Sequence, residues 1–250
     1  MKSMKMMITG VIFLFLLSSC EYFHTHEKTE KPIKKEATAK NPRSDRVITK
    51  QIQDSLTPYD VLERLKAGNK RFASQQSIVR DYDIQRRKAV SGQFPKAIIL
   101  SCVDSRVPVE DVFDQGIGDI FVARVAGNIA SPEILGSIEY ATAVAGVKIV
   151  LVMGHEHCGA VKASIDQVKM GNITSLTDAI QQPIANLSDY TGKKSSKNPE
   201  YVHKVCESNV DYTVGQIRSR SKIIGDLEKA GKVQVIGGIY DLDTGIVSFM

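Results

Sequence analysis

Two short stretches hold the residue types that metal chemistry uses. Cys102-Val103-Asp104-Ser105-Arg106 brings a thiol, a carboxylate and a guanidinium together, and His155-Glu156-His157-Cys158 adds an imidazole and a second thiol three residues apart. Thiolate and imidazole are donors that zinc favours, and this spacing lets one turn present both. Cys102 supplies a third donor from a distant part of the chain. Three protein donors leave a fourth position free, which separates a catalytic zinc from a structural one. A carboxylate paired with a guanidinium stays ionised and oriented. Asp104, held by Arg106, can then accept a hydrogen bond from a zinc-bound water; released, it can ligate the metal and close the site.

Convergence of donors so far apart needs a scaffold. Residues 97–101 and 147–153 are continuous apolar runs, as strands buried on both faces are. Cys102 and His155 fall just past their ends. Further strands are expected at 120–123 and 233–239, and helices from Pro58, from Pro132 and around 176–187, 200–218 and 221–230. Thr57 and Ser131 stand as caps before the two prolines. Strands alternating with helices predict an α/β fold with a four-stranded, mainly parallel sheet flanked by helices, whose ligands gather beyond the carboxyl ends of the strands.

The amino terminus reads differently. Met1-Lys2-Ser3-Met4-Lys5 precedes an apolar run from Met6 to Leu17 and then Ser18-Ser19-Cys20, a secretory layout resembling a bacterial lipoprotein signal. The expected divisions are a signal at 1–20 with Cys20 lipidated, a flexible tether at 21–54 and one catalytic domain at 55–250. The tether is polar and carries Pro32, Pro42 and two solvated histidines, His24 and His26. An exported, membrane-anchored protein follows, and Glu21 favours the outer membrane facing the periplasm. With Cys20 spent on lipid, three cysteines remain, so a disulfide framework explains them poorly, and Cys206 reads as a core residue on a helix. The formal charge of +5 resides in residues 1–50, leaving the rest neutral and without the footprint of a nucleic-acid binder.

Cys-x-Asp-x-Arg followed by His-x-x-Cys resembles the β-class carbonic anhydrases over about residues 57–246, with Gly68-Asn69-Lys70-Arg71-Phe72 and Gly118-Asp119-Ile120-Phe121-Val122 fitting as well. The resemblance implies one zinc per subunit on Cys102, His155 and Cys158, a catalytic dyad of Asp104 and Arg106, and a homodimer or tetramer. It also implies reversible hydration of carbon dioxide to bicarbonate and a proton by zinc-bound hydroxide. Within the plant-like branch, Gln93, Phe121 and Tyr140 match residues lining the carbon dioxide pocket near the dimer interface, and the Gly159 N–H stands at a helix start. The branch with an allosteric bicarbonate pocket carries a tryptophan where this chain has Ile99, and the chain has no Trp, so no such regulation is expected. Ala126-Gly127-Asn128 departs from the Val-Ala-Asn of many relatives. His157 reads as a surface residue rather than a proton shuttle, and Arg124 as a brace of the interface rather than an anchor for bicarbonate.

Three rivals stand beside this reading. A cysteine phosphatase wants five residues between nucleophile and arginine, whereas three separate Cys102 from Arg106. The same scaffold can hydrolyse a carbon dioxide analogue such as carbon disulfide. A non-catalytic zinc lipoprotein would keep Asp104 as a permanent fourth ligand.

Overall fold

The computed structural model describes residues 43–250, so Cys20, His24, His26 and the signal lie outside the described residues. The chain opens with α1 (Lys50–Ser55) and α2 (Pro58–Ala73), the second closed by a capping box in which Thr57 and Asp60 satisfy each other's N–H groups. Then follow α3 (Tyr82–Ala89), β1 (Ala97–Ser101), α4 (Val109–Val112), β2 (Ile120–Arg124), α5 (Pro132–Glu139), β3 (Ile149–His155) and α6 (Gly159–Ile165). The remainder is α7 (Ile173–Ala179), α8 (Gln181–Ala185), α9 (Pro199–Arg220), α10 (Lys222–Lys229), β4 (Gln234–Tyr240) and β5 (Val247–Phe249).

The sheet runs β2-β1-β3-β4-β5, with the first four strands parallel and β5 antiparallel on β4. The expected four-stranded core is present, and β5 extends it to five. Three residues are too few to show a period of two, which is why β5 escapes a reading of the sequence. Every residue of β1 and β3 is buried. Ile98 and Leu100 pack with α9, while Ala97 and Ile99 face the cluster around Val61 and Leu65 of α2 and Phe113 after α4.

Order begins earlier than the expected tether boundary at 54. The polar sequence of α1 gives no apolar stripe, yet Gln53 is buried and its amide donates to the carbonyls of Pro95 and Ala145 at 2.6 and 2.8 Å. These long-range hydrogen bonds hold the helix. The segment around Ser44 also bridges to Arg80.

The register aligns Ser101 with Met153, so the carboxyl ends of β1 and β3 lie side by side. The chain leaves β1 for β2 on one side and β3 for β4 on the other. Between them lies a topological switch point, the crevice in which such sheets bind ligands.

Candidate metal centre

Cys102 follows β1 directly, His155 is the last residue of β3, and Cys158 caps α6 three residues later. All three side chains are buried, and their donor atoms lie within 4.8 Å of one another. The two Sγ atoms are 4.0 Å apart. Zinc–sulfur bonds of about 2.3 Å at a tetrahedral angle place two sulfurs about 3.8 Å apart, so the pair suits that ion.

His155 has its tautomer set by the backbone. Its Nδ1 lies 2.8 Å from the Glu156 carbonyl, which can only accept, so Nδ1 carries the proton and Nε2 presents a lone pair. That Nε2 is buried without a hydrogen-bond partner. The Glu156 N–H donates in turn to the Tyr240 carbonyl of β4, fixing the turn.

The thiols are unequal. A hydrogen bond from the Cys158 thiol holds Cys102 below the usual thiol range, whereas sharing that proton, together with burial, pushes Cys158 up. Two adjacent buried thiolates repel, and a divalent cation between them removes that opposition. A buried Cys2His set with an unpartnered imidazole lone pair therefore fits a zinc ion.

Asp104 stands beside this triad, its Oδ2 3.9 Å from His155 Nε2. The Arg106 guanidinium engages both carboxylate oxygens, through Nε at 3.0 Å and Nη2 at 2.8 Å, and the Arg106 backbone N–H donates to Oδ1 as well. This grip holds the Asp104 carboxyl well below the usual carboxylate range.

Two supports were not legible as such. Arg124, expected to brace an interface, ties down the loop of its own chain: it donates to the carbonyls of Cys102 and Asp104 at 2.9 and 2.6 Å. Asn209 of α9 donates to the Gly127 carbonyl at 2.8 Å, and the Gly127 N–H points at Cys102 Sγ at 3.4 Å. Gly127 sits at φ +75°, where an added Cβ would also lie 2.7 Å from the Ile180 side chain, so in this chain a substituent there would be strained. The available signal for Asn209 was a polar residue within the apolar face of Val202, Val205, Cys206 and Val210.

The pocket residues are distributed unevenly. Phe121 and Tyr140 pack with ring centroids 6.3 Å apart and line an open cleft with Ala123 and Ile134. Gly159 is the first residue of α6. Gln93, by contrast, is exposed before the amino end of β1, the opposite end of that strand from Cys102, so one chain does not bring it to the centre. His157 is exposed in the turn, and Cys206 is buried on α9, where burial pushes its thiol up to about 12.

The carbonic anhydrase family model matches residues 97–247. Carbonic anhydrase of Mycolicibacterium smegmatis is 36% identical over 193 residues, which cover 76% of this chain and 92% of that protein. The chain belongs to the carbonic anhydrase family. Carbonic anhydrase 2 of Mycobacterium tuberculosis is 33% identical, over 75% of this chain and 90% of its own length. Among solved structures, a β-carbonic anhydrase of Aspergillus fumigatus aligns with a TM-score of 0.60 at 25% identity, covering 76% of this chain and 91% of that one. Coccomyxa β-carbonic anhydrase in complex with acetazolamide gives the same score and identity over 76% of this chain and 84% of that one. The α/β fold and the Cys2His centre are thus those of a β-class carbonic anhydrase, a zinc enzyme.

Proposed function

We propose that the chain catalyses reversible hydration of carbon dioxide to bicarbonate, with Cys102, His155 and Cys158 holding zinc and Asp104 and Arg106 as the catalytic dyad. The observation that carries it is the Asp104 carboxylate, gripped through both oxygens by Arg106 beside a buried Cys2His set. Zinc in such a set lowers the pKa of water from about 15.7 to roughly 7 and so supplies hydroxide near neutral pH.

The chain's own residues do the rest. Asp104, ionised, accepts the hydrogen of the attacking hydroxyl and aims its free lone pair at the substrate carbon. Arg106 keeps that carboxylate from rotating towards the metal, which opposes the closed, non-catalytic reading. Phe121 and Tyr140 wall an apolar space for carbon dioxide, and the Gly159 N–H lies at a helix start where donors lack intrahelical partners. Gln93 completes the pocket from a second copy of the chain, the plant-like arrangement. A homodimer or tetramer is supported by the half-buried edge strand β2, the exposed Tyr140 packed on its Phe121, and the exposed Val144 one turn further along the chain. A β-carbonic anhydrase structure from Sordaria macrospora is described as tetrameric. The absence of Trp supports a chain without bicarbonate regulation.

The same proposal covers the amino terminus: signal 1–20, lipid on Cys20, a tether, and an outer-membrane address facing the periplasm. Its support is the Lys-flanked apolar run ending in Ser18-Ser19-Cys20. Among the described residues no helix is long and apolar enough to cross a membrane.

Substrate profiling tests the catalytic part. Zinc-loaded protein should hydrate carbon dioxide and leave carbon disulfide untouched. Turnover of carbon disulfide alone would transfer the scaffold to the rival chemistry.

A further inference from the structure

We propose that the chain carries a second ligand site, a pocket for a di- or trivalent oxyanion of the phosphate class, at the amino ends of β1 and β2. The metal centre lies beyond their carboxyl ends and shares none of the residues lining this pocket. A cavity of about 310 Å³ opens there between α2, the chain around residues 44–48 and the turns before the two strands.

Lys96 is buried in its wall, with 6% of its side chain exposed. Among the described residues, the one carboxylate within 4 Å is Asp119, whose Oδ2 stands 3.7 Å from Nζ, outside hydrogen-bond distance, and already accepts from the Gly116 N–H. Arg71 and Arg80 share the single buried carboxylate of Asp114. Arg46 and Arg64 line the opening, and neither makes an ion pair among the described residues. Five cationic side chains thus surround the cavity against two carboxylates.

Burying an ammonium without full hydrogen bonding is costly, and here that cost is visible. Burial pushes Lys96 down to about 8 against the attraction of Asp119, and the like charges of Arg64 and Arg80 add to the effect of burial. Arg80 already holds Asp114 and two carbonyls, but Lys96 Nζ and Arg64 find no acceptor among the described residues, and an oxyanion between them would supply it. The excess of three positive charges exceeds what bicarbonate or chloride neutralises and suits a phosphate group, whose oxygens match guanidinium forks. Free phosphate and a phosphate monoester present the same chemistry.

Isothermal titration of the full chain with inorganic phosphate and, separately, with glycerol phosphate tests this at low ionic strength, where such contacts are least screened. Wild type should show one saturable site per chain, and Arg64→Gln and Lys96→Met should each weaken it about tenfold or more, the worth of a charged hydrogen bond. Arg64 is exposed, so its replacement leaves folding intact. Preference for glycerol phosphate would assign the site to esterified ligands, and equal or better binding of inorganic phosphate to the free ion. No saturable binding of either in the millimolar range, or binding unchanged in Arg64→Gln, overturns the proposal.

Discussion

Each donor at the centre is set by a neighbour that fixes one atom. The Glu156 carbonyl orders the protons of His155, and Arg106 fixes the Asp104 carboxylate. Asn209 reaches Cys102 only through Gly127, which makes it a positioning residue. Replacing Asn209 with Leu removes the donor to a buried carbonyl and loosens the N–H aimed at Cys102. Outer-shell contacts of this kind are worth about 10- to 100-fold in metal affinity. Competition with a chromogenic chelator should show that loss for Asn209→Leu, whereas unaltered zinc affinity would reduce the contact to packing. At this scale the sequence was informative where chemistry and spacing coincide, as in Cys102, Asp104, Arg106, His155 and Cys158. For Asn209 it offered only a polar residue on an apolar helix face, and for Arg124 no sign of the loop carbonyls it holds, because backbone partners leave no pattern in side-chain types.

The elements bring these residues together through a register and a few close approaches. The long apolar runs of β1, β3 and β4 were legible because both faces of those strands are covered, whereas α1 is mostly polar in sequence and is held by Gln53, the Thr49 cap and the packing of Ile52. In α2, Gly68 lets the helix rest on the backbone after α4, and an added Cβ there would lie 1.9 Å from the Phe113 carbonyl oxygen. Gly68→Ala should therefore destabilise the fold by about 1–3 kcal/mol in urea unfolding, the usual cost of overpacking. A neutral result would mean that α2 shifts freely.

Lys96, just before β1, gives a pH signature without added anion. Its folded value of about 8 lies below the ordinary lysine value of about 10.4, so between these the unfolded chain binds the extra proton and stability rises with pH. The stability of wild type relative to Lys96→Met should climb through that window and be level below it. A difference that stays flat from pH 7 to 10.5 would contradict the buried charge.

The whole molecule joins a catalytic fold to an amino terminus whose role is addressed by experiment on the full chain. Expressed in a bacterium with its first 20 residues, wild type should partition with membranes and take up a radiolabelled fatty acid, and Cys20→Ala should do neither. Labelling of the variant would place the lipid elsewhere. Gln93 shows why the assembly was only partly legible: the chain places it before the amino end of β1, away from Cys102, and its pocket role rests on the proposed second copy. The fold class and the zinc triad, by contrast, needed one chain only. The proposed Asp104–Arg106 dyad is what makes the Cys2His centre an enzyme, and stopped-flow hydration of carbon dioxide with zinc quantified in each sample puts this to the test. Wild type should turn over rapidly, and Asp104→Ala should keep one zinc per chain yet lose about 100-fold or more in kcat/KM, the range for a group that handles the reacting proton. A zinc-replete wild type without activity, or an Asp104→Ala as fast as wild type, would contradict it.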